Sequence, residues 1–158
     1  MEHLTTAGRD TAGCPSEQHG SAFATRPLSL AEAVARVSAD VPFSFMLSEF
    51  LDTFYGHVKR GDTSAALSAI EVEPPVLADT QLHAYVGGVA EHLARRWALP
   101  HIPAWTEKPD RFLARPLFGM ASPRIRPLYM VESPLAFRRR LIFVEAVPLR
   151  RASMPVSP

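Results

Sequence analysis

The sequence predicts a small, mainly helical bundle of about four helices, followed by a proline-rich, turn-rich C-terminal segment that wraps over it. Apolar residues recur at three- and four-residue steps through residues 43–58 and 79–99, as on the buried face of an α-helix. Seven prolines fall within residues 100–134, a density that prevents long helices. With 158 residues, 47% of them apolar, the chain is large enough to enclose one core.

Composition divides the chain into three segments. Residues 1–26 are rich in Gly, Ser, Thr and Ala, with Leu4 and Phe23 as their large apolar side chains, so we expect a disordered leader. This segment lacks the apolar stretch of a secretory signal, and no run in the chain approaches the ~20 apolar residues of a membrane span. We therefore expect a cytoplasmic protein, with a single helical domain over residues 27–152 and a tail at 153–158.

The first two helices are predicted from a cap and from apolar spacing. Ser29 and Glu32 form a capping box that opens a short helix over about residues 29–39. The most apolar stretch of the chain follows at residues 43–58, with basic residues in its last turn and Gly61 after it. Its wide apolar stripe is typical of a helix enclosed by its neighbours.

Two further helices begin at aspartate caps. Asp62 opens a small helix that reaches about Ile70, and Asp79 opens the most regular helix, which reaches about Leu99. The glycine pair 87–88 lies near the middle of the latter, where each glycine costs about 1 kcal/mol relative to alanine. Such a cost is tolerable where another backbone approaches closely, so we expect a close approach at that point.

The wrap, residues 100–152, is predicted to consist of short turns and one short helix. Ser133 is placed to cap that helix and Pro134 to occupy its first position, with the end near Arg140. Residues 141–144 are apolar and partly β-branched, which favours a short strand or an extended packed segment.

Familiar catalytic and metal-binding patterns are absent from the sequence. His83 and His92 lie nine positions apart, on opposite faces of one predicted helix, and no His-Glu-x-x-His arrangement occurs. Cys14 is the only cysteine, which excludes a cysteine-rich zinc site and an internal disulfide. There is no Gly-x-Ser-x-Gly nucleophile motif. We predict no catalytic residue, no metal and no cofactor, while an enzyme with a dispersed site stays a third alternative.

Charge is polarised along the chain. Residues 1–94 carry a net charge of −7 and residues 95–158 a net charge of +8, and the densest cluster of basic residues is 138–140. These arginines suit an acidic protein surface or nucleic acid, or they pair with the acidic half of the same molecule. Residues 43–58 and 62–70 have helix–turn–helix spacing, but the second helix carries no Arg, Lys, Asn or Gln to contact base edges.

Four motifs of the C-terminal half carry a family resemblance. In order, they are EHLARR at 91–96, LPHIPAW at 99–105, FLARPLF at 112–118 and ESPLAFRRRLIFV at 132–144. This order, within residues 79–152, resembles bacterial regulatory proteins that are encoded beside nucleotidyltransferase-fold proteins and act as the antitoxin of a toxin–antitoxin pair. Many such proteins carry a helix–turn–helix ahead of this region, and no convincing one precedes it here.

The resemblance implies a non-catalytic protein that binds the product of a neighbouring gene, for instance a nucleotidyltransferase-like toxin. Exposed aromatic side chains would anchor the interface, and arginines would pair with carboxylates of the partner. The candidate contact residues are Trp105, Phe112, Phe118, Phe137, Arg138, Arg139 and Arg140. Two alternatives stay open: the aromatic residues cover the helical core, or the protein is a transcriptional regulator that binds DNA through its arginine-rich C-terminal part.

Overall fold

The chain folds mainly into α-helices, as the sequence predicts. The computed structural model describes residues 25–119 and 122–156, so all of the predicted leader except its last two residues lies outside the described residues. The helices are α1 (Leu30–Ala35), α2 (Phe43–Lys59), α3 (Thr63–Glu71), α4 (Thr80–Arg96), α5 (Arg126–Glu132) and α6 (Leu135–Arg138), with 3₁₀ turns at Ala104–Glu107 and Pro109–Arg111. None of the helices in the described ranges is long and apolar enough to cross a membrane.

The cap of α1 is confirmed, although the helix is shorter than predicted. The Ser29 hydroxyl accepts a hydrogen bond from the Glu32 amide at 3.1 Å, and the Glu32 carboxylate accepts one from the amide of Leu28 at 2.7 Å. Ser38 and Val41 then exchange backbone hydrogen bonds, and this turn ends the helical path before Pro42.

The observed ends of α2 and α3 agree with the predicted ones to within one residue. Gly61 adopts a φ of 69° after α2, a left-handed conformation that glycine tolerates at a helix end. The Asp62 carboxylate then accepts a hydrogen bond from the Ala65 amide at 2.9 Å and caps α3. The side chains of α2 that are buried in the core are Met46, Leu47, Phe50, Leu51, Phe54 and Tyr55.

Helices α2 and α4 lie side by side and run in the same direction. Near their N-terminal ends the rings of Phe43 and Tyr85 meet edge to face, with 6.2 Å between the ring centroids. Near their C-terminal ends the rings of Tyr55 and Trp97 meet at 6.0 Å. The two helices therefore share one core, onto which α1 and α3 pack from the amino-terminal half and the wrap from the other side.

The glycine pair of α4 is the contact site of the wrap. A Cβ atom on Gly88 would lie 2.8 Å from the ring of Phe137, and one on Gly87 would lie 3.1 Å from the Nε of Arg140 and 3.2 Å from the Cβ of Arg111. The predicted close approach is present, but it is made by side chains rather than by another backbone. Glycine is required at both positions because the side chains of Phe137, Arg140 and Arg111 occupy the space that a Cβ atom would need.

The prediction for the start of α6 is wrong in detail. The Ser133 hydroxyl lies 2.6 Å from the carbonyl oxygen of Tyr129 and accepts a hydrogen bond from the Val144 amide at 2.8 Å, so it does not cap α6. Ser133 instead ties the end of α5 to the chain beyond α6. Helix α6 begins after Pro134 and ends at Arg138, two residues before the predicted end.

For residues 141–144 the sequence left two alternatives, a short strand or an extended packed segment, and the structure has only a single bridge there. Leu141 has a φ of 58°, in the left-handed region, which interrupts an extended path at the start of the segment. Ile142 then forms an isolated parallel bridge with Leu117, and no longer strand occurs among residues 25–119 and 122–156. Helix α5, with Pro127 in its first turn, was not predicted from the sequence.

Both ends of the described chain contact the helical domain. The backbone carbonyl of Thr25 accepts a hydrogen bond from Arg36 at 2.7 Å. At the other end, Arg151 pairs with Asp52 of α2 at 2.9 Å, and Met154 packs against the core. The packed domain thus includes residue 25 and extends slightly into the segment expected to be a tail.

Replacing Gly88 with alanine tests whether the glycine pair is a packing requirement. In Gly88→Ala the new methyl group overlaps the Phe137 ring, so we expect a loss of about 1–3 kcal/mol in the free energy of unfolding. The control is Gly56→Ala in α2, where the Cβ meets only the flexible end of Arg60 at 3.4 Å, and where we expect a gain of up to about 1 kcal/mol. Urea unfolding measures both, and a Gly88→Ala variant as stable as the wild type would contradict the packing.

Candidate functional site: the arginines of the wrap

A buried carboxylate on α4 gathers three arginines. Glu91 is fully buried, and it forms an ion pair with Arg140, which is fully buried as well. The same carboxylate accepts hydrogen bonds from Arg95 at 2.8 Å and from Arg139 at 3.1 Å. Buried charges need such partners, because an unpaired charge inside a protein costs several kcal/mol.

Arg140 connects three elements of the fold through this one guanidinium. Besides the pair with Glu91 of α4, it donates to the carbonyl of Ala136 in α6 and to that of Thr106 in the first 3₁₀ turn, both at 2.7 Å. The ring of Phe112 lies over the guanidinium, 4.7 Å from its central carbon. Arg140 is therefore an internal clamp between α4 and the wrap.

The environment of Glu91 keeps it ionised. Burial by itself would raise the pKa of the Glu91 carboxyl, but the hydrogen bonds from Arg140 and Arg95 and the positive charge of Arg140 outweigh it and lower that pKa below its ordinary value. The carboxylate is thus held in the charged form that the arginines require, and it is saturated with donors from this chain.

Arg139 lies at the surface beside this pair. Its guanidinium makes a two-point contact with Glu107, at 2.9 and 2.6 Å, and also reaches Glu91. About a third of its side chain is exposed, and its guanidinium lies 5.4 Å from the ring of Phe112. The charge of Arg139 is therefore largely neutralised within the molecule.

A second arginine with a buried guanidinium, Arg111, also packs against Gly87. It donates to the Nδ1 atom and the backbone carbonyl of His83, each at 3.1 Å, and its Nη2 lies 3.6 Å from Glu73. The Nδ1 atom of His83 must act as an acceptor here, so the ring donates from Nε2 to Asp110 at 3.2 Å. His83 and Arg111 thus join α4 to the second 3₁₀ turn as a structural network.

Three of the predicted contact residues lie inside the fold. Trp105 is buried and its indole N–H donates to the carbonyl of Ile70 at 3.2 Å. Phe137 is fully buried against Gly88, and Arg140 against Glu91. In the folded chain each of these three side chains is covered by the core that it helps to form, so none of them lies on a solvent-facing surface.

The other four predicted contact residues reach the surface in part. Phe112 and Phe118 are half-buried, and Phe118 stacks on Phe143 at 4.8 Å. Arg138 is exposed and directs its guanidinium toward a carbonyl of α5 at 3.4 Å, while Arg139 is held by its two glutamates. The structure brings Phe112 and Arg139 into contact and leaves Phe118 in a different part of the wrap.

Several other arginines of the C-terminal half keep their charge available. Within the part of the chain that the structure describes, they have no acidic side chain within 4 Å. These exposed arginines are Arg115, Arg124, Arg126, Arg138 and Arg150. The positive charge that faces solvent is therefore carried mainly by arginines outside the predicted cluster.

An apolar groove beside α2 and α4 offers little acid–base chemistry. It has a volume of about 410 Å³ and lies between the N-terminal parts of α2 and α4, where Phe43, Leu47 and Tyr85 line it. Burial, with a smaller contribution from the charge of Glu145, raises the pKa of Tyr85 to about 12, and the carboxylate of Asp79 at the rim already caps α4. Among the described residues, no group of three or more His, Cys, Asp or Glu side chains is placed to hold a metal ion.

Sequence reasoning missed the acceptors of this network. Glu91 and Glu107 were not assigned to the arginines, and Arg111 was not recognised as buried. The available signal was the glycine pair 87–88 one turn before Glu91, because a glycine gap beside a glutamate on an otherwise buried helix face leaves room for a long cationic side chain.

Comparison with known proteins provides no relative for this chain, since no family model, no curated protein and no solved structure matches it. The contacts of the site describe a neutralised internal network with a surplus of arginine at the surface.

Replacing Glu91 with glutamine tests the internal role of the network. In Glu91→Gln the buried charge of Arg140 loses its counter-charge, so we expect the free energy of unfolding to fall by about 3–5 kcal/mol. The control is Glu71→Gln, which removes a surface contact with His101 and should cost less than about 1 kcal/mol. Chemical unfolding followed by circular dichroism compares them, and equal costs would contradict the account.

A buried histidine on α4 predicts how stability depends on pH. Burial, helped by the charge of Arg96, lowers the pKa of His92 from 6.5 to about 4. As the pH falls, the unfolded chain therefore takes up a proton at His92 before the folded chain does. The contribution of neutral His92 to the free energy of unfolding is complete above pH 6.5 and is lost as the pH falls toward 4. The loss amounts to at most about 3 kcal/mol. In the His92→Leu variant the free energy of unfolding, measured with urea, should therefore fall less between pH 6.5 and 4 than in the wild type. A variant with the same pH dependence as the wild type would rule the effect out.

Proposed function

We propose that this protein acts without catalysis, as an antitoxin-like or regulatory protein that binds an acidic partner protein. The observation that carries the proposal is the surplus of solvent-facing arginine in the C-terminal half, defined above, in a chain whose remaining arginines are largely neutralised by its own carboxylates. A solvent-facing surplus of one sign attracts a partner of the other sign.

The surface that we assign to the partner is formed by Arg115, Arg138, Arg139 and Phe112. Phe112 is half-buried beneath the guanidinium of Arg139, so its position is fixed before binding. Arg115 follows Phe112 by three residues, and Arg138 directly precedes Arg139. Both carry a positive charge that no carboxylate of the described chain neutralises. An aromatic ring held in place beside arginines is typical of the residues that dominate binding energy at protein interfaces.

The resemblance stated above suggests which partner to test. It is the product of the gene next to that of this protein, and a nucleotidyltransferase-like toxin is the expected fold. Such a partner would present carboxylates that otherwise hold magnesium, and the planar fork of a guanidinium matches a carboxylate with two hydrogen bonds.

The alternative that the chain binds DNA is less well supported. The formal net charge of the whole chain is only +1, and its sequence pI of about 8.0 is below the strongly basic value typical of dedicated DNA-binding domains. DNA binding is therefore treated as an outcome of the test below.

The test reverses charge on the proposed surface and leaves the internal network intact. We expect Arg115→Glu/Arg138→Glu to weaken binding of the neighbouring gene product about tenfold or more, because two attractive contacts become repulsive. The matched control, Lys59→Glu/Arg60→Glu, changes the net charge equally at exposed positions at the end of α2 and should keep affinity within about threefold. Titration calorimetry on co-expressed and separated proteins measures both.

Two results would contradict the proposal. One is that the surface and control variants weaken binding equally, since that would show a general charge effect. The other is that the chain binds no neighbouring gene product but binds duplex DNA with an affinity that falls steeply with salt, which would support the regulator alternative.

A further inference from the structure

Arg139 differs from the other arginines of the proposed partner surface, because it already binds a carboxylate of its own chain. Its Nη1 and Nη2 atoms donate to the two carboxylate oxygens of Glu107, at 2.9 and 2.6 Å. Arg115 and Arg138 have no carboxylate within 4 Å among the described residues. A guanidinium with this edge filled cannot offer it to a partner, so Arg139 takes part in binding through this edge only if Glu107 gives way.

The guanidinium of Arg139 is also held from the inside, independently of Glu107. Its Nη1 atom donates to the fully buried carboxylate of Glu91 at 3.1 Å. The ring of Phe112 lies 5.4 Å from the central carbon of the guanidinium. Both contacts remain when Glu107 turns away, so the guanidinium keeps its position and is preorganised for another carboxylate.

The side chain of Glu107, by contrast, is held by a single partner. Glu107 is the last residue of the first 3₁₀ turn, and half of its side chain is exposed. Among the described residues its carboxylate accepts hydrogen bonds from Arg139 alone. An exposed ion pair contributes little to the stability of a fold, because water solvates both groups almost as well. Glu107 can therefore leave Arg139 without disturbing the internal network.

The charges around Glu91 favour an acidic replacement. Three arginines, Arg95, Arg139 and Arg140, meet two carboxylates there, those of Glu91 and Glu107. Arg95 and Arg139 bind the same oxygen of Glu91, at 2.8 and 3.1 Å, so their guanidinium groups lie close together, and 42% of the Arg95 side chain is exposed. When Glu107 turns away, the positive surplus rises from one charge to two, and an incoming carboxylate restores the balance.

We propose that Glu107 occupies the place that a carboxylate of the partner takes in the complex, and that binding exchanges one carboxylate for the other on Arg139. This inference rests on the proposed function, since it concerns the same surface, and it adds the chemistry of the contact. The partner supplies an Asp or Glu side chain whose two oxygens meet the fork of the guanidinium. In the free protein Glu107 competes for that fork and lowers the affinity for acidic surfaces.

Fluorescence anisotropy with a labelled hexaglutamate peptide tests the exchange, because this probe carries the proposed side-chain carboxylates and no other side chain. Glu107→Gln should bind the peptide about three- to tenfold more tightly than the wild type, since Arg139 then loses its internal competitor. The matched control is Glu71→Gln, which removes the same charge from a side chain of nearly equal exposure, 48% against 50%. Its affinity should stay within about twofold of the wild type.

A double variant separates the contact with Arg139 from net charge. Arg139→Gln/Glu107→Gln has the net charge of the wild type but lacks both members of the pair. It should bind the peptide about threefold or more weakly than the wild type, because the contact that Arg139 makes after the exchange is lost. Far-UV circular dichroism checks that each variant is folded.

Three results with the peptide would overturn the inference. They are a Glu107→Gln variant that binds no more tightly than the wild type, equal gains in Glu107→Gln and Glu71→Gln, and a double variant that binds as tightly as the wild type.

The same variants, titrated with the neighbouring gene product, distinguish this inference from the proposed function. If that protein does not bind while the peptide results hold, the proposed partner is wrong and the exchange on Arg139 stands. If it binds and Arg115→Glu/Arg138→Glu weakens it, but Glu107→Gln leaves its affinity unchanged, the proposed function stands and the exchange is refuted.

Discussion

The ion pair between Glu91 and Arg140 is the interaction on which the arrangement of the C-terminal half depends. Both side chains are fully buried, so each needs the other to offset the cost of leaving water. Because the same guanidinium also donates to the Thr106 and Ala136 carbonyls, the first 3₁₀ turn and α6 are fixed relative to α4. The glycine pair of α4 makes this possible, since any side chain at Gly87 would meet the Nε of Arg140.

This internal use of arginine changes the functional meaning of the charge pattern. The polarised halves of the sequence neutralise each other in part, through Glu91, Glu73 and Asp52 of the amino half and arginines of the wrap. The positive charge that stays exposed belongs mainly to arginines that contact no carboxylate of the described chain. The density of arginine in the sequence is highest at residues 138–140, but Arg140 is buried in the core, whereas Arg115, outside that cluster, is exposed.

Much of the helical framework is predictable because its signals are local. The Asp62 and Asp79 caps and the apolar periodicity of α2 and α4 act within a few residues of themselves. The site is less predictable because its contacts are distant in sequence: Arg140 and Glu91 are 49 residues apart. Helix α5 escapes prediction for a related reason, since it is short, contains a proline and has no buried face to impose an apolar period.

The central claim is that Glu91 and Arg140 act as one structural unit rather than as two residues of a binding site. A double-mutant cycle of unfolding free energies, with Glu91→Met, Arg140→Met and the double variant, tests it most directly. The account predicts that the double variant costs less than the sum of the single variants by about 2 kcal/mol or more, because removing both charges leaves none unpaired. Costs that add to within about 0.5 kcal/mol would contradict it.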